Sequence, residues 1–131
     1  MATTTVRTLA IIRSALLAGV LLFGALCWLV TSQRGGGPRP GADPASYEIF
    51  RVLVPALCLG AVAVAIVMRG LVARERDAQK RTSLSIVGWA MGEGAALAGG
   101  VYFLALGDPK LYVFGVVAML ATFIIVPLRD A

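Results

Sequence analysis

Four long apolar runs constrain this chain more than any other feature. They cover about residues 8–30, 50–68, 83–106 and 111–127, with polar or charged segments between them. A helix rises about 1.5 Å per residue, so each run has roughly the length that crosses about 30 Å of hydrocarbon. Backbone groups in lipid must form hydrogen bonds internally, so each run predicts a transmembrane helix. The expected fold is all-α, a single transmembrane domain (1–131) built as a four-helix bundle.

Composition indicates that much of the apolar surface faces lipid. Of the 131 residues, 59% are hydrophobic, and the mean hydropathy is +0.86. A chain this short cannot hide so much apolar surface in its own core. The net charge of +5 fits cytoplasmic loops rich in Lys and Arg, and no basic residue lies among aromatic residues that could stack on bases. We therefore expect a lipid bilayer, and not nucleic acid, as the partner.

The first run shares two features with a secretory signal peptide, namely early basic residues (Arg7 and Arg13) and an apolar stretch. A signal peptide has an apolar region of roughly 7–15 residues and then a cleavage site flanked by small residues. This run is longer, and the sequence TSQRG that follows offers no such site. We predict a retained transmembrane helix that begins near Thr8 or Ser14 and ends at Val30.

Two polar segments define the expected orientation. Residues 32–47 are rich in Gly and Pro and predict a flexible loop, whereas residues 69–82 alternate in charge and predict a solvated helix extension or turn. With four spans, both termini lie on the same side as residues 69–82. That side carries seven Lys and Arg residues against four on the other, which predicts that it is cytoplasmic. We expect a bacterial inner-membrane protein with cytoplasmic termini and an extracytoplasmic loop at 32–47.

The third run repeats parts of the first. A shift of 75 positions aligns identical residues: Leu9 with Leu84, Ile11 with Ile86, Ala15 with Ala90, Gly19 with Gly94, Leu22 with Leu97 and Gly24 with Gly99. Duplicated units are common in membrane proteins, so one interpretation is two repeated helical hairpins. The alternative is chance, because such matches arise easily between Ala-rich apolar segments.

A stripe of small residues follows one side of the third run. At about 100° per residue, one face of the helix carries Gly88, Gly92, Ala95, Ala96, Gly99 and Gly100. Small residues at this spacing let helix backbones approach closely in lipid. We predict a tight helix contact through Gly88, Gly92, Ala96, Gly99 and Gly100. The pattern leaves open whether the partner helix belongs to the same chain, a second copy or another membrane subunit.

Glu93 lies near the middle of the third run, at the edge of this stripe. A charged side chain at mid-helix costs about 2.5–3.5 kcal/mol on insertion scales, so Glu93 must be neutral, paired or facing water. It is either an ion-binding carboxyl that loads and releases a proton or sodium ion, or a protonated side chain that forms a hydrogen bond across the helix contact. Arg13 is the candidate partner in the membrane, although its side chain can instead extend to the cytoplasmic headgroups.

The sequence lacks the residue patterns of an enzyme or a metal site. It contains no His, and its two cysteines lie in different apolar runs without a CxxC spacing. It has neither a Ser/His/Asp set nor a phosphate-binding glycine loop. We therefore expect no enzymatic activity, no catalytic residues, no metal and no cofactor.

Two resemblances add expectations. Residues 81–101 combine Arg81-Thr82, Gly88, and Glu93 followed by AALA and GV, and they resemble the ion-carrying helix of rotary ATP synthase c subunits. That resemblance implies that Glu93 is an ion-binding carboxylate. Arg7–Phe23 and Ala90–Leu97 resemble the pattern of a group of small bacterial four-helix membrane proteins of unknown function, which implies the topology and no activity.

The leading expectation is a structural or accessory membrane subunit that self-associates through the third helix. The alternative is a proton- or sodium-coupled translocator that uses Glu93. The two differ in whether Glu93 titrates and can be reached from water. A structural Glu93 would tolerate replacement by Gln, which keeps hydrogen bonds but cannot release a proton.

Overall fold

The computed structural model describes residues 2–126, with side chains from residue 6 onward. These residues form four α-helices and no strand: α1 (Ala2–Gln33), α2 (Phe50–Arg74), α3 (Ala78–Leu106) and α4 (Lys110–Ile125). A short 3₁₀ helix, Pro44–Tyr47, precedes α2. The prediction of an all-α, four-helix protein is confirmed.

Three helical segments are long and apolar enough to cross a membrane. They are Val6–Gln33, Pro44–Arg74 and Ala78–Leu106, with hydropathies of 2.2, 2.4 and 1.2. α4 is also apolar but has only 16 residues. The fourth predicted span ends at Pro127, which lies outside the described residues. The structure therefore supports a membrane protein, with three helices that could span the bilayer.

α2 and α3 extend toward each other beyond the predicted spans. α2 continues to Arg74 and α3 begins at Ala78, so a turn of three residues separates them. The Asp77 side chain caps α3 by accepting a hydrogen bond from the Gln79 backbone N–H at 3.0 Å. Most of segment 69–82 is thus helical.

α3 lies at the centre of the bundle, because it packs along all three other helices. α1 runs parallel to it. The Cys27 thiol of α1 donates a hydrogen bond to the Gly100 carbonyl at 3.6 Å, and the Arg13 guanidinium lies over the Trp89 ring nearer the start of α3.

α2 and α4 run antiparallel to α3. Met68 lies beside Gly88 near the start of α3, whereas Val54 packs with Tyr102 near its end. Around the circumference of α3, the side that contacts α4 lies between the side that contacts α1 and the side that contacts α2. Successive helices therefore alternate in direction, and α1 hardly touches α2.

Backbone meets backbone where α3 packs on α4. A β-carbon at Gly115 would lie 2.5 Å from the Ala96 Cα, and one at Gly92 would lie 2.7 Å from the Met119 Cα. A β-carbon at Gly99 would overlap the backbone at the start of α4. Glycine therefore permits a helix separation that any larger residue would prevent. Gly92, Ala96 and Gly99 of the stripe therefore pack on α4 of the same chain.

The segment after α1 crosses the end of α3. The Arg34 side chain donates hydrogen bonds to the Leu104 carbonyl and, through Nε, to the Gly37 carbonyl at 2.9 Å. The Arg39 backbone N–H donates to the Ala105 carbonyl at 2.8 Å. These bonds satisfy carbonyls that the end of a helix leaves without intrahelical partners. The segment that composition predicts to be flexible is thus fastened to α3 at two points.

We expect Gly115→Ala to lower the free energy of unfolding by about 1–3 kcal/mol, because its methyl group would overlap the α3 backbone. Gly94→Ala is the matched control. A β-carbon at Gly94 meets nothing within 4 Å, and replacing a helical Gly by Ala stabilises by about 0.5–1 kcal/mol. Unfolding in detergent micelles by added SDS, followed by circular dichroism, measures both. Equal effects of the two substitutions would contradict the α3–α4 contact.

Candidate functional site

Arg13 lies against a pair of aromatic rings. Its guanidinium carbon is 4.8 Å from the Phe123 ring centre and 5.8 Å from the Trp89 ring centre. The two rings meet edge to face, with centres 5.9 Å apart. Ring quadrupoles attract a cation placed over the ring face. These three residues, which we call the Arg13 clamp, connect α1 to α3 and α4. The sequence had suggested two other positions for the Arg13 side chain, paired with Glu93 or extended to the cytoplasmic headgroups.

Trp89 is the fixed part of the Arg13 clamp. Its side chain is fully buried, and its indole N–H donates a hydrogen bond to the Val126 carbonyl at 2.8 Å. The bond satisfies a buried donor and also a carbonyl just past the end of α4. Sequence reasoning missed both Trp89 and Phe123. The sequence offered only an arginine in the first apolar run and a tryptophan in the third.

Two further contacts hold α1 along the bundle. The Tyr112 hydroxyl of α4 donates a hydrogen bond to the Val20 carbonyl at 2.7 Å, and a β-carbon at Gly24 would overlap that hydroxyl. The Phe23 ring rests on Gly100 of α3, where a β-carbon would overlap it. α1 is therefore held by particular side chains at separate levels.

Glu93 lies at the boundary between the packed and the open surface of α3. Gly92 on one side of it is buried, Gly94 on the other is exposed, and the Glu93 side chain is partly exposed. Within the described residues, Glu93 forms no hydrogen bond or ion pair, whereas Arg51 pairs with Glu48 at 3.6 Å. Arg13 and Glu93, which the sequence suggested as partners, are not brought together.

The depth of Glu93 can be read from the contacts between α3 and α2. Gly88 lies beside Met68, the residue before Arg69. Tyr102 accepts a hydrogen bond from Arg51 Nε at 3.4 Å. With a rise of about 1.5 Å per residue, Glu93 lies about 8 Å along α3 from Gly88 and about 13 Å from Tyr102. These two arginines flank the most apolar part of α2. Glu93 therefore lies well inside the part of the bundle that hydrocarbon would surround.

The small residues predicted to pack are all engaged inside the chain. The contacts are Gly92 and Gly99 with α4, Ala96 with Gly115, Gly88 with Val126 and Met68, and Gly100 with Phe23. A stripe that is already covered cannot also bind a second copy. The contacts of this stripe are thus made within the chain, and self-association stays a prediction.

An open cleft of about 460 Å³, lined mostly by polar residues, lies beside the turn between α2 and α3. Its lining includes Lys80 and Ser83, and Ser83 lies about 15 Å along α3 from Glu93. Among residues 6–126, no group of three or more His, Cys, Asp or Glu side chains could hold a metal ion. The cleft and the Glu93 carboxyl are therefore separate features.

Comparisons with known proteins add no relative to this description. No protein-family model, no curated protein and no solved structure matches the chain.

A double-mutant cycle tests the Arg13 clamp. We expect Arg13→Met and Phe123→Leu to couple by about 0.5–2 kcal/mol, because each removes one member of the cation–π contact. The matched cycle pairs Phe123→Leu with Arg69→Met, which removes an exposed arginine, and should be additive within about 0.5 kcal/mol. SDS titration in micelles measures all variants. An additive Arg13 cycle would show that the guanidinium gains nothing from the ring.

Proposed function

We propose that the chain is a four-span integral membrane protein that acts as an accessory subunit, holding another membrane component instead of catalysing a reaction. The observation that carries this proposal is the position of Glu93. Its carboxyl lies on the outer side of the bundle, at mid-depth, with no partner between residues 6 and 126. Ionisable groups in hydrocarbon are stabilised by pairing. A neighbouring membrane protein is the source of pairing that an accessory subunit would use.

The filled interior supports the same proposal. α3 and α4 touch through their backbones at Gly92 and Gly115. The fully buried Trp89 and Met119 pack in the core, toward the end of the bundle that holds the α2–α3 turn. This packing leaves no room for water between α3 and α4. A route for ions from Glu93 therefore cannot run between α3 and α4.

The proposed location is the bacterial inner membrane, with both termini and the α2–α3 turn in the cytoplasm. The excess of Lys and Arg near that end of the helices supports this orientation. The segment that contains Arg34 and Arg39 lies at the opposite end of the bundle, across the end of α3.

Cysteine labelling tests the orientation. Ala45→Cys and Gln79→Cys, each combined with Cys27→Ala and Cys58→Ala, place single thiols at exposed sites near opposite ends of the bundle. We expect a membrane-impermeant maleimide to label the Ala45→Cys variant in intact cells and the Gln79→Cys variant only after lysis. The reverse pattern would contradict the orientation, and labelling of both in intact cells would contradict the four-span topology.

A proton- or sodium-coupled translocator is the second candidate. The observation that favours it is that the Glu93 carboxyl is partly exposed and unpaired at mid-depth. The resemblance of residues 81–101 to the ion-carrying helix of c subunits supports it as well. A translocator needs Glu93 to exchange its proton or ion with water, whereas an accessory subunit does not.

Carbodiimide labelling separates the two candidates. These reagents modify protonated carboxyls in apolar surroundings, so the extent of Glu93 labelling in lipid vesicles reports its protonation. For the accessory subunit, we expect labelling that does not change between about pH 5 and about pH 9, because that role does not require the carboxyl to exchange its proton with water. Mass spectrometry measures the modification, and Glu93→Gln is the unlabelled control. Labelling that falls through neutral pH and is blocked by sodium would support the translocator instead.

A further inference from the structure

The outer face of α3 forms a shallow groove between α1 and α2. We call it the α3 groove, and it is lined by Val87, Ala90, Met91, Gly94, Leu97 and Val101. Its four large apolar side chains are 37–46% exposed, and Leu53 on α2 and Leu120 on α4 are each 40% exposed. The α3 face is therefore about as open as the outward faces of its neighbours. No helix of the described chain covers it.

The floor of the α3 groove is made of small residues. Ala90, Gly94 and Ala98 follow one another at intervals of four, on the side of α3 away from the glycines that contact α4. A β-carbon at Gly94 would meet nothing within 4 Å. A floor of this kind lets a further helix approach closely. This row of small residues would therefore admit one more transmembrane helix.

Glu93 lies at the edge of the α3 groove that faces α1. No basic residue of the described chain pairs with it. Arg13 lies in its aromatic clamp, Arg51 is bonded to Tyr102 and Glu48 at one end of the bundle, and Arg69 lies about 8 Å away along the helix axis. The groove therefore offers one acidic side chain in an apolar setting. A cation at the same depth would complement it.

We propose that the α3 groove binds one transmembrane helix of a different membrane protein, and that this helix carries a Lys or Arg at the depth of Glu93. Pairing removes the cost of holding each charge alone in hydrocarbon. A second copy of this chain fits less well, because a parallel copy presents its own Glu93, and no cation, at that depth. The inference rests on the proposed accessory role and specifies the partner.

Designed peptides test the charge complementarity. The probe is a synthetic transmembrane peptide of Leu and Ala with one Lys at its midpoint, and the control peptide has Leu there. Donor dye on the Ala45→Cys variant and acceptor dye on the peptide report association in phosphatidylcholine vesicles by energy transfer. We expect the Lys peptide to bind at least about tenfold more tightly than the Leu peptide. Adding Glu93→Gln should reduce that preference to about threefold or less.

Shape is tested by filling the groove. Gly94→Leu should abolish binding of the Lys peptide, because the added side chain would occupy the floor. The control is Val117→Phe, on the exposed face of α4, which should leave binding unchanged. Circular dichroism and SDS titration show that each variant remains folded.

Three outcomes would overturn the inference. They are equal binding of the Lys and Leu peptides, an undiminished preference in the Glu93→Gln variant, and strong energy transfer between two labelled copies that Gly94→Leu abolishes. The last would make a second copy the occupant. If Glu93 labelling never responds to pH and the Lys peptide binds no better than the Leu peptide, this partner is rejected and the accessory role remains. Labelling that titrates near neutrality would reject that role itself.

Discussion

The close approach of the α3 and α4 backbones determines how the other helices can pack. In lipid, burying hydrocarbon gives helices little reason to associate, so contact depends on the fit between their surfaces. Gly92, Gly99 and Gly115 provide that fit. Because α4 occupies this face of α3, the two flanks of α3 are left for α1 and α2. The opposite face is left open, and it becomes the α3 groove.

α1 is attached to the bundle in a different way. Only 11% of its most apolar window is buried, compared with 44% for α3, so most of its side chains face outward. Its attachment depends on directional contacts, namely the Arg13 clamp, the hydrogen bond from Tyr112 to the Val20 carbonyl and the seat of Phe23 on Gly100. Contacts of this kind fix the register of a helix that has little buried area.

The sequence predicted the features that depend on local pattern. Run length and hydropathy predicted four helices, and the spacing of small residues singled out the face of α3 that packs. It could not predict the Arg13 clamp, because Phe123 is distant in the chain and a cation–π contact is worth only about 0.5–2 kcal/mol, too little to exclude snorkelling beforehand. The hydrogen bonds from Arg34 and Arg39 were equally hidden, since their acceptors are carbonyls that only the folded end of α3 presents.

The position of Arg13 also explains why Glu93 is unpaired. An arginine that paired with Glu93 would leave the Trp89 and Phe123 rings without a cation, and α1 would lose one of its few attachments. The same pairing would neutralise the edge of the α3 groove. Because the guanidinium instead joins α1 to α3 and α4, the acid stays available on the outer surface. The contacts of Arg13 thus both attach α1 to the bundle and leave Glu93 without an ion-pair partner among the described residues.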